Sequence, residues 1–254
     1  MTDTSLLVDH RDAATTVLTL NRPERRNALT VDLMRRLCRT MEELASDPAR
    51  RVVILHGAGP AFCAGLDLHE AGDAESVDDG PRWVARTFRA LSESALVTVA
   101  AVHGAAYAGG AGVMSSCDLV VASEDLRVCF PEVRRGLVPA LVSAVLTHQI
   151  PVATLTELLL LAEPIGAHRA RELGLVHRIA AEGNLLGEAE AMVLSVLEGA
   201  PDAVRRTKQL LRDLRQVPSE RALDVALEWH LRARHGPEAA EGIAAFRERR
   251  EPRW

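Results

Sequence analysis

Three short segments hold residue types and spacings that could do chemistry. His103–Gly112, HGAAYAGGAG, contains four glycines and four alanines, with apolar sequence on both sides. So few side chains inside apolar flanks imply that two backbones approach closely there, or that a ligand lies against exposed N–H groups. Gly57–Leu68, GAGPAFCAGLDL, follows an apolar run. Its Gly57-x-Gly59 invites a dinucleotide-binding reading, which fails because Phe62 stands where the third glycine belongs. Phe130–Ala140, FPEVRRGLVPA, offers a carboxylate at Glu132, followed by Arg134 and Arg135. Pairing with these arginines would lower the Glu132 pKa and favour its base form.

The elements that must position these segments are legible from periodicity. Thr15–Leu20 and Arg51–His56 read as strands, as do Val97–Val102 and Asp118–Ala122. Leu33, Leu37, Met41 and Leu44 share one helical face, with Thr30 as N-cap and Ser46–Pro48 as the stop. Val84, Phe88, Leu91 and Ala95 mark a second amphipathic helix. Glu70–Gly80 is acidic and glycine-bearing, and reads as a mobile loop between the two helices. Leu158–Ala162, LLLLA, reads as buried helix. In AHRARELGLVHRIA a short helix, a C-capping Gly174 and a strand are expected. From about Asn184 onwards only helices are expected, with Pro201 at a first helical position. The fold class is therefore α/β with a helical C-terminal region.

Composition narrows the function classes. The chain has 254 residues, 48% hydrophobic and 26% charged, which suits a globular core. Aromatics are only 3%, so Leu, Val and Ala must fill that core. A net charge of −5 without a long basic tract argues against nucleic-acid or membrane-surface binding. Cys38, Cys63, Cys117 and Cys129 form no CxxC pair and no zinc-ligand spacing, so no metal site is expected. The N-terminus has no signal-peptide pattern and no run is long enough to span a bilayer, so a cytoplasmic setting is expected.

Taken in order, the three segments resemble the enoyl-CoA hydratase/isomerase (crotonase) family, as do LNRPERRNAL at Leu20–Leu29 and the C-terminal EGIAAFRERREPRW. The resemblance covers nearly the whole chain. It implies a spiral of strand–strand–helix repeats over residues 1–195 and a helical region over 196–254 that builds trimers, often paired into hexamers. It implies acyl-CoA thioester substrates and no cofactor, coenzyme A being part of the substrate. By motif position the N–H groups of Leu66 and Gly109 would form an oxyanion hole, and Glu132 would be the acid/base. Fixed donors aimed at the thioester oxygen stabilise an enolate more than the ground state. The stretch would also open a helix at about Gly110, whose dipole would favour the oxyanion. The bland alternative for the glycine stretch is a glycine-rich turn packed under a helix; for Glu132 it is a helix- or loop-capping carboxylate. The family further implies that Arg25, Arg26, Ala28, Ala64, Gly65 and Leu68 line the coenzyme A site, with Phe246 closing the pocket. A solvated turn for the arginines and a plain core or interface role for Phe246 stay open.

The sequence also departs from the family pattern. Familiar hydratases carry a second glutamate three residues beyond the hole glycine, where this chain has Gly112. Single-glutamate members include isomerases that move a double bond, and hydratases resembling methylglutaconyl- and isohexenylglutaconyl-CoA hydratases. The segments AYAGGAGVMSSCD and FPEVRRGLVPALVS look more like the latter, so a hydratase is expected. An isomerase and a non-catalytic acyl-CoA-binding protein are the alternatives. Ala108 stands where many relatives have a third glycine, and Ala140–Leu141 replace a more glycine-rich turn. Cys63 reads as a small buried hydrophobe, His103 as structural, and Asp67 as a residue that holds its loop. Tyr107 has no lysine four residues on, which argues against a short-chain dehydrogenase pair.

Overall fold

The computed structural model describes residues 4–67 and 78–254. Two compact units divide the chain, 1–193 and 194–254.

The first unit begins with β1 (Leu6–His10) and β2 (Thr15–Leu20), then α1 (Val31–Ser46) and β3 (Val52–Gly57). The α1 start is set as its sequence predicts, with Thr30 Oγ1 accepting from the Leu33 amide at 3.1 Å. Leu33, Leu37, Met41 and Leu44 are all buried. Next come α2 (Asp79–Ser92), β4 (Val97–Val102), β5 (Ala105–Tyr107) and α3 (Gly109–Ser115). Residues 70–77 of the expected acidic loop lie outside the described residues, but Asp79 and Gly80 already belong to α2. Ala95 falls beyond the end of α2, while Val84, Phe88 and Leu91 are buried on it as expected.

After α3 run β6 (Leu119–Ala122), β7 (Arg127–Cys129), α4 (Ala140–Leu146), α5 (Val152–Leu161), β8 (Ile165–Gly166), α6 (Ala167–Glu172), β9 (Arg178–Ile179) and α7 (Leu185–Leu197). The LLLLA run is only half inside. Leu158 and Leu159 are buried, whereas Leu160 and Leu161 are exposed, because one helical face cannot take four successive leucines.

Two sheets organise this unit. A six-stranded sheet has the order β1-β2-β3-β4-β6-β9, and a three-stranded sheet the order β5-β7-β8. Among the described residues only β1–β2 and β7–β8 pair antiparallel. The central strands β3 and β4 are buried along nearly their whole length, and read accordingly as continuous apolar runs. The small sheet carries the site: β5 and β7 run parallel, with Tyr107 opposite Cys129. Parallel strands deliver their C-terminal ends to the same edge. There β5 hands over to α3, and β7 to the Phe130–Glu132 segment.

The second unit contains α8 (Pro201–Leu214), α9 (Ala222–Arg234) and α10 (Pro237–Glu248). Pro201 occupies the first helical position, as expected. The Glu238 carboxylate accepts from the Asp202 and Ala203 amides at 2.8 and 2.9 Å, capping α8 from outside it. Arg250 holds the Glu241 carboxylate at 2.6 and 3.0 Å and pulls its pKa down to about 2. Leu223, Leu227 and Leu231 form an exposed apolar row on α9 at helical spacing.

Candidate active site

The site is built where the Gly57–Asp67 loop is stitched between two other segments. On one side Phe62 N donates to His103 O, Cys63 N to Ala105 O, and Tyr107 N to Cys63 O. On the other, Ala64 N donates to Arg26 O, Leu29 N to Gly65 O, and Asp67 N to Leu29 O. The small residues permit this crowding. A Cβ on Gly110 would lie 2.2 Å from Cys63 O, and one on Gly65 2.9 Å from Tyr107 O. The glycine stretch is therefore a place where two backbones meet closely.

The same stitching leaves two amides over. Leu29 bridges Gly65 and Asp67, so the N–H of Leu66, between them, points to the opposite side. Gly109 opens α3, and the first amides of a helix have no intrahelical acceptor. Among the described residues neither the Leu66 nor the Gly109 amide donates to a backbone carbonyl. They are neighbours: a Cβ on Gly109 would sit 3.7 Å from Leu66 N. Ala108 aims the second amide from a strained turn, with φ 48° and ψ −121°.

Glu132 emerges from the end of β7. Its Oε2 is buried and has no hydrogen-bond partner among the described residues. Burial pushes the Glu132 pKa above the ordinary carboxylate value, outweighing its own backbone amide and Arg135, which pull it down. The expectation that Arg134 and Arg135 pair with Glu132 is thus corrected. Arg134 donates instead to Leu161 O at 2.8 Å, and Arg135 acts only as a weaker distant charge.

Gly112 lies one turn along α3 from Gly109. A Cβ there would meet the Phe88 ring at 2.1 Å from Cζ. The space a larger side chain would need at 112 is already occupied by an aromatic from α2.

The remaining expected site residues divide. Arg26, Ala28, Ala64 and Gly65 are brought together by the stitching just described, with Arg25 and Arg26 exposed and Ala28 and Ala64 half-buried. Leu68 lies outside the described residues. Phe246 belongs to the second unit, on α10, and is 84% exposed. Cys63 is fully buried, and burial pushes its thiol up to about 12, so it is no nucleophile. His103 Nε2 lies 2.8 Å from Gly59 O, a contact that helps hold the loop. Among the described residues no three metal-ligating side chains gather into a cluster.

Sequence reading missed two residues here. Asn27 is fully buried at φ 54°, with Oδ1 accepting from Arg22 N at 2.8 Å and Nδ2 donating to Ala58 O and Ala61 O at 2.8 and 2.7 Å. Arg22 Nη1 donates to Ala28 O at 2.6 Å and pairs with Asp67 Oδ2 at 3.0 Å. The polar Asn in a turn-like segment was the available signal, since Asn tolerates positive φ better than most residues.

Comparison with known proteins points the same way as the geometry. The family model described as enoyl-CoA hydratase/isomerase matches residues 10–254. A candidate enoyl-CoA hydratase of Thermus thermophilus is 39% identical over 244 residues, covering 94% of this chain and 96% of the relative. Enoyl-CoA hydratase EchA19 of Mycobacterium tuberculosis is 33% identical, covering 98% of this chain and 95% of its own. The crystal structure of a Mycobacterium smegmatis enoyl-CoA hydratase superposes with a TM-score of 0.94 at 32% identity, covering 99% of each chain.

Proposed function

The chain belongs to the enoyl-CoA hydratase/isomerase family, and we propose on that premise that it is an enoyl-CoA hydratase in which Glu132 is the acid/base. The observation that carries the residue assignment is a pair of adjacent amides, Leu66 and Gly109, unused among the described residues, at the strand edge that also delivers a buried carboxylate oxygen with no partner among them.

In this reading a 2-enoyl thioester lies with its carbonyl oxygen between the two amides. Water adds to C3 while Glu132 takes its proton, and the π electrons move through C2 to place negative charge on the thioester oxygen. Two fixed N–H donors stabilise that charge. The protonated Glu132 then returns a proton to C2, restoring the thioester carbonyl. Atoms balance with one water consumed, and no electron changes hands, so no redox cofactor is required. A carboxyl whose pKa is raised by burial is better matched to taking and giving a proton near neutrality. A second carboxylate at 112 is not part of this scheme, and Phe88 fills its place.

Coenzyme A would pass along Arg25, Arg26, Ala28 and Ala64, with the exposed guanidinium groups meeting its phosphates in a protein of net charge −5. The exposed Leu223, Leu227 and Leu231 row supports self-association into a trimer, or a hexamer of two trimers. Among the described residues no helix is long and apolar enough to cross a membrane.

Glu132→Gln tests the assignment. The variant keeps shape and acyl-CoA affinity but should lose hydration of a short 2-enoyl-CoA by about 10²-fold or more. Unchanged turnover would remove Glu132 from the chemistry.

A further inference from the structure

The Leu66 amide can stabilise an enolate only if it is aimed, and the structure contains a brace for that aim. Asp67, the next residue, has a side chain only 8% exposed. Its carboxylate meets Arg22 Nη1 at 3.0 Å, and the same nitrogen donates to Ala28 O at 2.6 Å. One guanidinium thus grips both sides of the Leu29–Leu66 bridge, holding the residue before Leu29 and the residue after Leu66. Arg22 is itself fixed, because Asn27 Oδ1 accepts from its amide at 2.8 Å. Asn27 Nδ2 then holds Ala58 O and Ala61 O at the other end of the same loop. The loop is therefore braced at both ends from one turn, Arg22–Ala28.

A largely buried ion pair gives weak net stability, since its desolvation offsets much of its attraction. Catalytic donors, in contrast, need placement to within about 0.5 Å, and a misplacement of about 1 Å can cost about 10²-fold in rate. We propose that Arg22 and Asp67 are positioning residues whose ion pair sets the aim of the Leu66 N–H at the substrate oxygen. This rests on the reading of Leu66 as an oxyanion donor.

The test uses Asp67→Asn, which keeps the shape and an acceptor oxygen but removes the charge, and Arg22→Lys, which keeps the charge but not the shared guanidinium grip. Two readouts are needed. One is kcat and KM for hydration of crotonyl-CoA. The other is the carbonyl 13C shift of a bound saturated acyl-CoA, labelled at the thioester carbon, which reports hydrogen bonding to the oxygen without turnover. Both variants should lower kcat about 10- to 100-fold with KM changed less than about 3-fold. The bound carbonyl signal should move back toward its free position. A variant that melts earlier yet keeps kcat and the carbonyl shift would overturn the proposal and leave the pair merely structural. If Asp67→Asn does not fold, Arg22→Lys decides alone. Should wild-type protein itself leave the carbonyl signal at its free position, the Leu66 hole fails rather than the brace.

Discussion

Replacing Gly112 probes how this site differs from one with two carboxylates. A Cβ at 112 would lie 2.1, 2.7 and 2.8 Å from three atoms of the Phe88 ring edge. Those distances are about 1 Å or more inside ordinary contact between carbons. Phe88 is 5% exposed and packed in the core, so its ring can make room only by shifting against buried neighbours. Overpacking of this kind costs about 1–3 kcal/mol, against which Ala gains about 1 kcal/mol over Gly in helix propensity. Gly112→Ala should therefore destabilise by up to about 2 kcal/mol. Gly112→Glu adds the burial of a carboxyl and should cost about 3 kcal/mol or more. At about 2–4 °C per kcal/mol for a chain near this size, the glutamate variant should melt roughly 10 °C lower. Phe88→Ala alone should cost about 3–5 kcal/mol through its cavity. Combined with Gly112→Ala it should cost less than the sum, by about 1 kcal/mol or more, because the new methyl group enters the vacated space. Urea unfolding followed by circular dichroism measures each corner of this cycle. Strict additivity, or a Gly112→Ala variant more stable than wild type, would refute the steric argument.

Four further outcomes follow from three named groups. Glu132 has a folded pKa above its unfolded value, so its ionised form is penalised in the native state. Its contribution falls as pH rises through the window from the ordinary carboxylate value to the raised one; Glu132→Gln should flatten that dependence and be no less stable than wild type at pH 7, as read by melting across pH. In the same window the base must lose its proton, so the acid limb of kcat/KM should lie above the ordinary carboxylate value, and a limb at or below that value would contradict the burial argument. Ala108→Gly should relieve the positive-φ turn and raise stability by about 1 kcal/mol in denaturant unfolding, less whatever glycine loses in unfolded-chain entropy. Cys63, fully buried with its thiol pushed up to about 12, should resist iodoacetamide in the native state at pH 8 and react only on unfolding, as mass spectrometry would report.

The parts of the fold legible in the sequence are those whose signal is local. Thr15–Leu20 and Val97–Val102 are strands with the bounds their patterns suggest, and Thr30 caps α1. The neighbouring strand β1 escaped notice because only Leu6 of its five residues is buried, so an edge strand there shows no alternation. The short β5 is hidden for a different reason: Ala105–Tyr107 lies within the glycine stretch, and its pairing with β7 is a long-range event. The candidate site divides the same way. The motifs point to Leu66, Gly109 and Glu132, but not to what surrounds them. The Arg22–Asp67 pair spans 45 positions and Asn27 to Ala61 spans 34, separations that periodicity cannot report. Sequence adjacency also misled, since Arg134 follows Glu132 closely yet turns to Leu161.

The central claim is that this chain adds water to an enoyl thioester. Mass spectrometry tests it most directly, on straight, branched and carboxylated 2-enoyl- and 3-enoyl-CoA thioesters incubated with the protein in heavy water. The account predicts a product heavier by one heavy water from at least one 2-enoyl thioester, with deuterium at C2. Deuterium entering the chain without added water would make the protein an isomerase and contradict the account. No change in any thioester would contradict the assignment of an enzyme altogether.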